Sequence, residues 1–399
     1  MGSINFGLLD TLPLDDQMYA QPLVVSNVSI GGGVHNVLYA ATVNNTVYAY
    51  DADSGTAISP YWQINLTESG MRPPTNVDVN GSTYHDFTGK IGIVGTPVID
   101  TSLGRLFVVA RSVDASNNFY QYLHSIDIIN GTDSKVLISA QISGSGAGSQ
   151  SGVISFNPVM QNQRCALLLD NGIVYIVYAS HADDNPYHGW ILGYDENALT
   201  QKYVFMDTPN DSAGGIWMSG AGPAADNLGN LYVASGNGTG TASATNLQMS
   251  IFKLTPNTSS NTLDLSTFFT PYNYKSLDSF DYDFGPIQVL LIPNSNRALT
   301  GCKDGYIYLV DKDNMGGLGT SSNANLQALN VYNQMHSSFG YYHGTSGEYV
   351  YLWPEGEPLY AFPYNRTTNL LDNPETNSSL SGPTGQTGAF LSTSSDGSI

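Results

Sequence analysis

The chain is short of charge, and shortest of positive charge. Only 12% of its 399 residues are Asp, Glu, Lys or Arg, and 13 Lys+Arg against 33 Asp+Glu leave a net charge of −20. Such a surface repels nucleic acid and anionic membranes over a Debye length, so neither is expected as a partner. Cysteine is nearly absent. Cys165 and Cys302 stand far apart and form no C-x-x-C, no metal pair and no disulfide framework. They read as two buried small hydrophobes or as one long-range disulfide. No apolar run reaches the roughly 18–20 residues of a membrane-spanning helix. No stretch carries a convincing amphipathic helical period either.

The start, Met1-Gly2-Ser3, carries no signal peptide and reads as a processed or engineered terminus. The myristoylation pattern fails at Phe6. N-x-[ST] sequons stand at Asn27, Asn44, Asn65, Asn80, Asn130, Asn210, Asn237, Asn257, Asn365 and Asn377. With Ser, Thr, Asn and Gly in place of the usual charged surface, they suit an extracellular or periplasmic protein, glycosylated where the host allows.

What the chain does have is a repeated strand pattern. "LYAATVNNTVYAYDADSGT" (38–56) holds two alternating apolar runs split by Asn44-Asn45-Thr46, then an acid and a turn. The pattern returns in "LFVVARS" followed by "YLHSIDIINGT", and in "VYIVYAS" followed by "HGWILGYDENALT". It returns again in "LYVASGNG" followed by "MSIFKLTPNTS", and in "ALTGCKDGYIYLVDKDN". Period-two alternation with Gly, Asn and Asp at the breaks is the hairpin signature. Units of about 40–70 residues, each of three or four strands, are the sequence form of propeller blades. The expected fold is therefore all-β: one β-propeller over 1–399, of about seven to eight four-stranded antiparallel blades. Blade phrases lie near 37–56, 95–132, 164–200, 221–256, 285–314, 343–365 and 383–399. The last phrase is one strand and a turn. Either Met1 to Leu23 pairs beside Phe390 to Ser394 to finish that blade, or the chain is a fragment.

At "AYDADSGTAISPYW" the chain resembles the quinoprotein propeller repeat A-x-D-x-x-T-G followed by Trp, with Ala49, Asp51, Ser54, Gly55 and Trp62 in those places. The phrases "MYAQPLVV", "PYHGWILGYD", "GGIWMSGAGPAADNLGNLYVASGNG" and "KDGYIYLVDKDNMGG" extend the likeness to proteins named after pyrroloquinoline quinone. In quinoprotein alcohol dehydrogenases the resemblance implies a Ca²⁺ ion bound by a Glu and an Asn, a catalytic Asp, a cation over the quinone, a stacking Trp and a vicinal disulfide. Matched phrase by phrase, "LYVASGN" puts Asn237 at the Asn ligand and "HGWILGYD" puts Asp184 at the Glu ligand. "SLDSFDY" offers Asp278 as catalytic base and metal ligand, "KDGYIYLVDKD" offers Lys303 as the cation, and "GGIW" offers Trp217 as the stacking ring. The vicinal cysteines are absent.

The residue types suit that chemistry. Ca²⁺ takes oxygens, a carboxylate can accept the alcohol proton, and an ammonium stabilises charge on the reduced quinone. Each also fits a plain structural role. Asn237 suits a turn in "SGNGTG", Asp184 a solvated loop and Trp217 a core contact. Lys303 suits a turn, and Asp278, Asp281 and Asp283 suit a strand edge or solvated face. His181, His188, Trp190, Arg111 and His343 fall at the same ends of the hairpins, where propellers gather ligands. The favoured reading is a secreted binding scaffold for protein or glycan partners. The alternative is a Ca²⁺- and pyrroloquinoline quinone-dependent dehydrogenase of an alcohol or aldose, with Asp278 as its base.

Overall fold

A computed structural model describes residues 10–53, 59–80, 85–87, 89–320, 326–345, 347–385 and 388–393. Almost all regular structure is antiparallel strand. The chain divides into two compact units, Met1–Ile138 and Ser139–Ile399.

The first unit holds two four-stranded sheets, each a meander in chain order. One runs Leu23–Ile30, Gly33–Ala41, Thr46–Asp51 and Trp62–Asn65, and the other Val98–Asp100, Arg105–Val113, Phe119–Asp127 and Asp133–Leu137. The central strands are apolar on both faces because both faces are covered. Val37, Val47, Ala49, Leu106, Val108, Ala110 and Ile126 of the two sheets share one core. Each Val, Leu or Ile among them contributes about 1.5–3 kcal/mol on burial. Trp62 fastens the two sheets: its Nε1 donates to Ile128 O at 3.0 Å, where the Tyr39 hydroxyl also donates at 2.9 Å. Ser54 and Gly55 of the same motif lie outside the described residues.

The second unit holds four further sheets of four or five strands. Their central hairpins are Ile173–Val177 with Trp190–Asp195, Leu231–Ala234 with Ile251–Asn257, Arg297–Gly301 with Tyr306–Asp311, and Gly347–Leu352 with Pro358–Asn365. One core joins Val177, Ile191, Val233, Phe252, Ala298 and Tyr308 from the first three of these sheets. A second joins Leu299 and Leu309 to Val350 and Phe362 of the fourth. The strands expected from "LYAAT", "LFVVA", "VYIVY", "LYVAS" and "IYLVD" are all inner ones.

Two expectations need adjustment. Short helices occur at Asn76–Asn80 and Tyr274–Ser279. The second places Asp278 in a helical turn, where a strand edge had been one reading. Leu277 and Tyr274 drive the change, since helical spacing buries both on one side. Six sheets of four or more strands are described, against an expected seven to eight blades. Of the segments awaited as partners, Met1 to Leu23 and Phe390 to Ser394, residues 1–9 and 394 lie outside the described residues. Both cysteines are buried and free, and burial pushes the Cys165 thiol up to about 12.

Register fixes which loops share an end of a sheet. Ile173 pairs with Asp195 and Val177 with Ile191, so Asp195 lies at one end and the loop 181–189 at the other. Arg297 pairs with Asp311 and Gly301 with Ile307, which separates Asp311 from the loop carrying Lys303. At the first kind of end the repeated acid closes its own turn. Asp127 Oδ1 accepts Ile129 N at 2.9 Å, Asp195 Oδ1 accepts Ala198 N at 2.8 Å, and Asp311 Oδ1 accepts Asp313 N at 3.0 Å.

Candidate functional site

At the other end of the second unit's sheets, loops remote in sequence are tied together. Isolated bridges join His188 to Ala213, Ala213 to Gly238 and Phe284 to Cys302. Gly236 N donates to Gly215 O at 2.9 Å, and Lys303 N to Asp283 O at 3.0 Å. Non-glycine residues here take the left-handed backbone: Asp183 (φ 54°), Ala213 (66°), Met218 (39°), Ser219 (52°) and Asp281 (56°). Such conformations cost free energy and persist where packing and hydrogen bonds over-determine them.

Three of the residues expected at a site, Asn237, Asp278 and Lys303, converge through Asp281, Asp283 and the Gly238 N–H. Asn237 N donates to Asp283 Oδ1 at 2.9 Å, Asn237 Nδ2 to Asp281 Oδ1 at 2.7 Å, and Gly238 N to Asp278 Oδ1 at 3.1 Å. Lys303 Nζ bridges Asp283 Oδ2 at 2.6 Å and Asp281 Oδ2 at 3.2 Å, with 11% of its side chain exposed and 7% of that of Asp283. Burial opposes the charged form of Lys303, but the Asp283 and Asp281 carboxylates outweigh it and hold the ammonium above its usual value. Trp217 joins them through Gly236. A Cβ on that glycine would lie 2.3 Å from Asp283 Oδ1 and 2.8 Å from Trp217 Cδ1, so only glycine lets the ring and the carboxylate approach. Arg164 lies over the Trp217 ring at 5.8 Å, and Tyr187 meets it edge-on at 6.5 Å.

The fifth residue does not join. Asp184 N donates to His181 O at 3.0 Å, while the neighbouring Asp183 carries the interaction with the cluster. Water reaches Asp183, yet protein surrounds most of its carboxyl. That burial, with the charges of Asp283 and Asp281, pushes its pKa up to about 6 against the pull of the Tyr187 hydroxyl at 2.7 Å. Burial also raises Asp278, aided by the same two acids and opposed by the Gly238 N–H. Ala182 and Asp183 both take the left-handed backbone, and Asp183, though exposed, accepts the Tyr187 hydroxyl.

Sequence reasoning missed Asp183, Tyr187, Arg164 and the pair His336–Glu355. His336 Nδ1 bonds Glu355 Oε1, and both side chains are largely buried. No motif marks them; their meeting depends on sheets brought together by the fold. Of the other loop residues, His188 is spent on structure: its ring bonds Thr208 Oγ1 at 2.9 Å and Ala147 O at 2.8 Å.

A calcium and quinone site fits this arrangement poorly. Among the described residues no group of three or more His, Cys, Asp and Glu is placed to hold a metal ion. Lys303 already takes up Asp281 and Asp283 as partners, and Arg164 lies over the ring of Trp217. One feature does fit. Asn237 Oδ1 is a buried acceptor with no partner, and Trp217 Nε1 a buried donor with none.

No protein-family model matches the chain, and no curated protein matches it. Two solved structures share its fold. A quinohemoprotein alcohol dehydrogenase from Pseudomonas putida HK5 is 16% identical over 90% of this chain and 54% of that one, with a TM-score of 0.55. The quinohemoprotein alcohol dehydrogenase from Comamonas testosteroni is 13% identical over 90% and 46%, with a TM-score of 0.51. The chain spans about half the length of each. At that identity the likeness concerns the path of the chain, and by that measure its fold is that of a quinoprotein-like β-propeller.

Proposed function

We propose that the protein is a binding propeller, working outside the cytoplasm, whose ligand site is the polar cluster around Asn237, Asp278, Asp183, Trp217 and Lys303. The observation that carries this reading is the bridge from Lys303 to Asp281 and Asp283. An internal ammonium supplies the positive charge that a dehydrogenase of this fold would take from calcium. The solvation pattern and the sequons support the location, and the propeller fold offers the platform. Protein or glycan partners remain the expected class.

The second reading, a quinone-dependent dehydrogenase with Asp278 as base and Asp184, Asn237 and Asp278 as metal ligands, has one observation in its favour. Asn237, Asp278 and Lys303 meet at one place in the order the resemblance implies. Reconstitution separates the two. The protein is mixed with pyrroloquinoline quinone and Ca²⁺, freed of excess, and assayed for cofactor absorbance and dye reduction with alcohols and aldoses. The binding reading expects neither signal. Retained absorbance with turnover that Asp278→Asn abolishes would establish the enzyme.

A further inference from the structure

A cavity of about 350 Å³ lies in the second unit and shares no lining residue with the polar cluster around Lys303. It opens between the hairpin of Gln141–Ser143 with Val153–Ser155 and the loop that leads into Trp190–Asp195. Ile154, Phe156, Pro158, Pro186, His188 and Trp190 form much of its wall. The volume is that of a small-molecule site, roughly 300–1,000 Å³. None of the lining residues is Asp, Glu, Lys or Arg, in a chain of net charge −20.

The walls are held by bonds within the fold. The glycine-rich turn between the hairpin strands is fastened by Gly146 N to Pro209 O at 3.0 Å and Ala147 N to Asp211 O at 2.8 Å. The His188 ring bonds Ala147 O and Thr208 Oγ1, so both its nitrogens are used. Gln161 fixes the His188 backbone, accepting from its N at 3.1 Å and donating to its O at 2.8 Å. Trp190 differs from these. Its side chain is only 1% exposed, and its Nε1 has no partner among the described residues. Unlike the Nε1 of Trp217 it is not closed off from solvent, so it opens on the cavity that the ring lines. Phe156 meets that ring edge-on at 6.0 Å, and Ile154, two residues earlier, is buried as well. At the rim Gln150 is exposed and Asn157 half-buried. Asn157 Oδ1 accepts Val159 N, while its Nδ2 and the Gln150 amide have no partner among the described residues.

An anion would find no cation in this wall, and a cation no carboxylate. A buried N–H donor beside apolar side chains suits a carbonyl oxygen that carries a methyl next to it, and free amides at the rim suit hydroxyl groups. An acetamido sugar presents all three. We propose that this cavity binds a neutral N-acetylated sugar, its acetamido oxygen accepting from Trp190 Nε1, its methyl against Ile154 and Phe156, and its hydroxyls at Gln150 and Asn157. The site is separate from the polar cluster, so its failure would leave that reading standing, and quinone reconstitution judges the cluster on its own.

The test is calorimetric titration of the full chain with N-acetyl-D-glucosamine and with D-glucose, which differ in the acetamido group. The acetamido sugar is expected to bind about tenfold more tightly, the weight of one hydrogen bond and one buried methyl. Trp190→Phe keeps a ring and removes the donor, and should cut that preference to about twofold. Because Trp190 is a core residue, a second variant works from the surface. Ser155→Phe places a ring in the cavity from an exposed position that lines it, and should abolish binding of both sugars with the melting temperature unchanged. Equal binding of the two sugars, no binding of N-acetyl-D-glucosamine, a full preference in folded Trp190→Phe, or binding that survives Ser155→Phe overturns the proposal.

Discussion

The two ends of the second unit's sheets use the same residue types in opposite ways. At one end Asp195 and Asp311 each bond backbone N–H groups two and three residues on, and the turn is complete within itself. At the other, Asp278, Asp281 and Asp283 bond groups about 40 residues away in sequence, on a different loop. The first arrangement repeats from sheet to sheet, while the second ties particular loops together. A repeated local bond builds the scaffold; an unrepeated long-range one spends stability on holding polar groups in a particular place.

The sharpest way to break the comparison is Lys303→Ala. It leaves Asp283 buried beside Asp281 without a counter-charge, and should cost about 3–5 kcal/mol in urea unfolding. Adding Asp283→Asn should restore much of the loss, because the orphaned charge goes with it. A loss below about 1 kcal/mol would mean the bridge is a surface pair like Arg72–Asp78, whose arginine is half exposed.

Asp195→Ala should have a smaller, local effect. It removes two turn bonds of 3.0 and 2.8 Å and should lower stability by about 1–2 kcal/mol with ligand binding unchanged. Equal damage to binding would show that the two ends are not independent.

The smallest effect concerns Asp183. Its carboxyl is raised to about 6 in the folded chain, so folding favours the protonated form. Stability from this group is therefore fully present below the unfolded carboxylate range, near 4, and is lost as pH rises to 6. Water reaches the group, so screening keeps the change to about 1 kcal/mol or less. Asp183→Asn should flatten the melting temperature between pH 4 and 6 and leave it unchanged or higher at pH 7.

The fold was legible because its signal is local and repeated. Alternation in "LYVAS" and "IYLVD" follows from the pleat, and the acid before each turn from the bonds it makes two residues on. The site was legible only in part. Asn237, Asp278, Trp217 and Lys303 stood out because they sit in phrases resembling a family. Asp183 did not, since its left-handed backbone and its bond to the Tyr187 hydroxyl depend on how the loop folds. The helix at Tyr274–Ser279 was hidden because six residues are too few to show a period.

By itself, then, the sequence determined an all-β chain of repeated hairpins, the closing acid of each turn, and the identity of most polar residues at the loop ends. Those features need only neighbours a few positions away. The tertiary structure alone decided that Lys303 would reach two acids about 20 residues before it, that Arg164 would lie over Trp217 without an acid, and that His336 would be held by Glu355. Such partners are chosen by how sheets pack and where their loops converge. That is set by the summed burial of many apolar side chains, and the few residues that meet there leave no local pattern of their own.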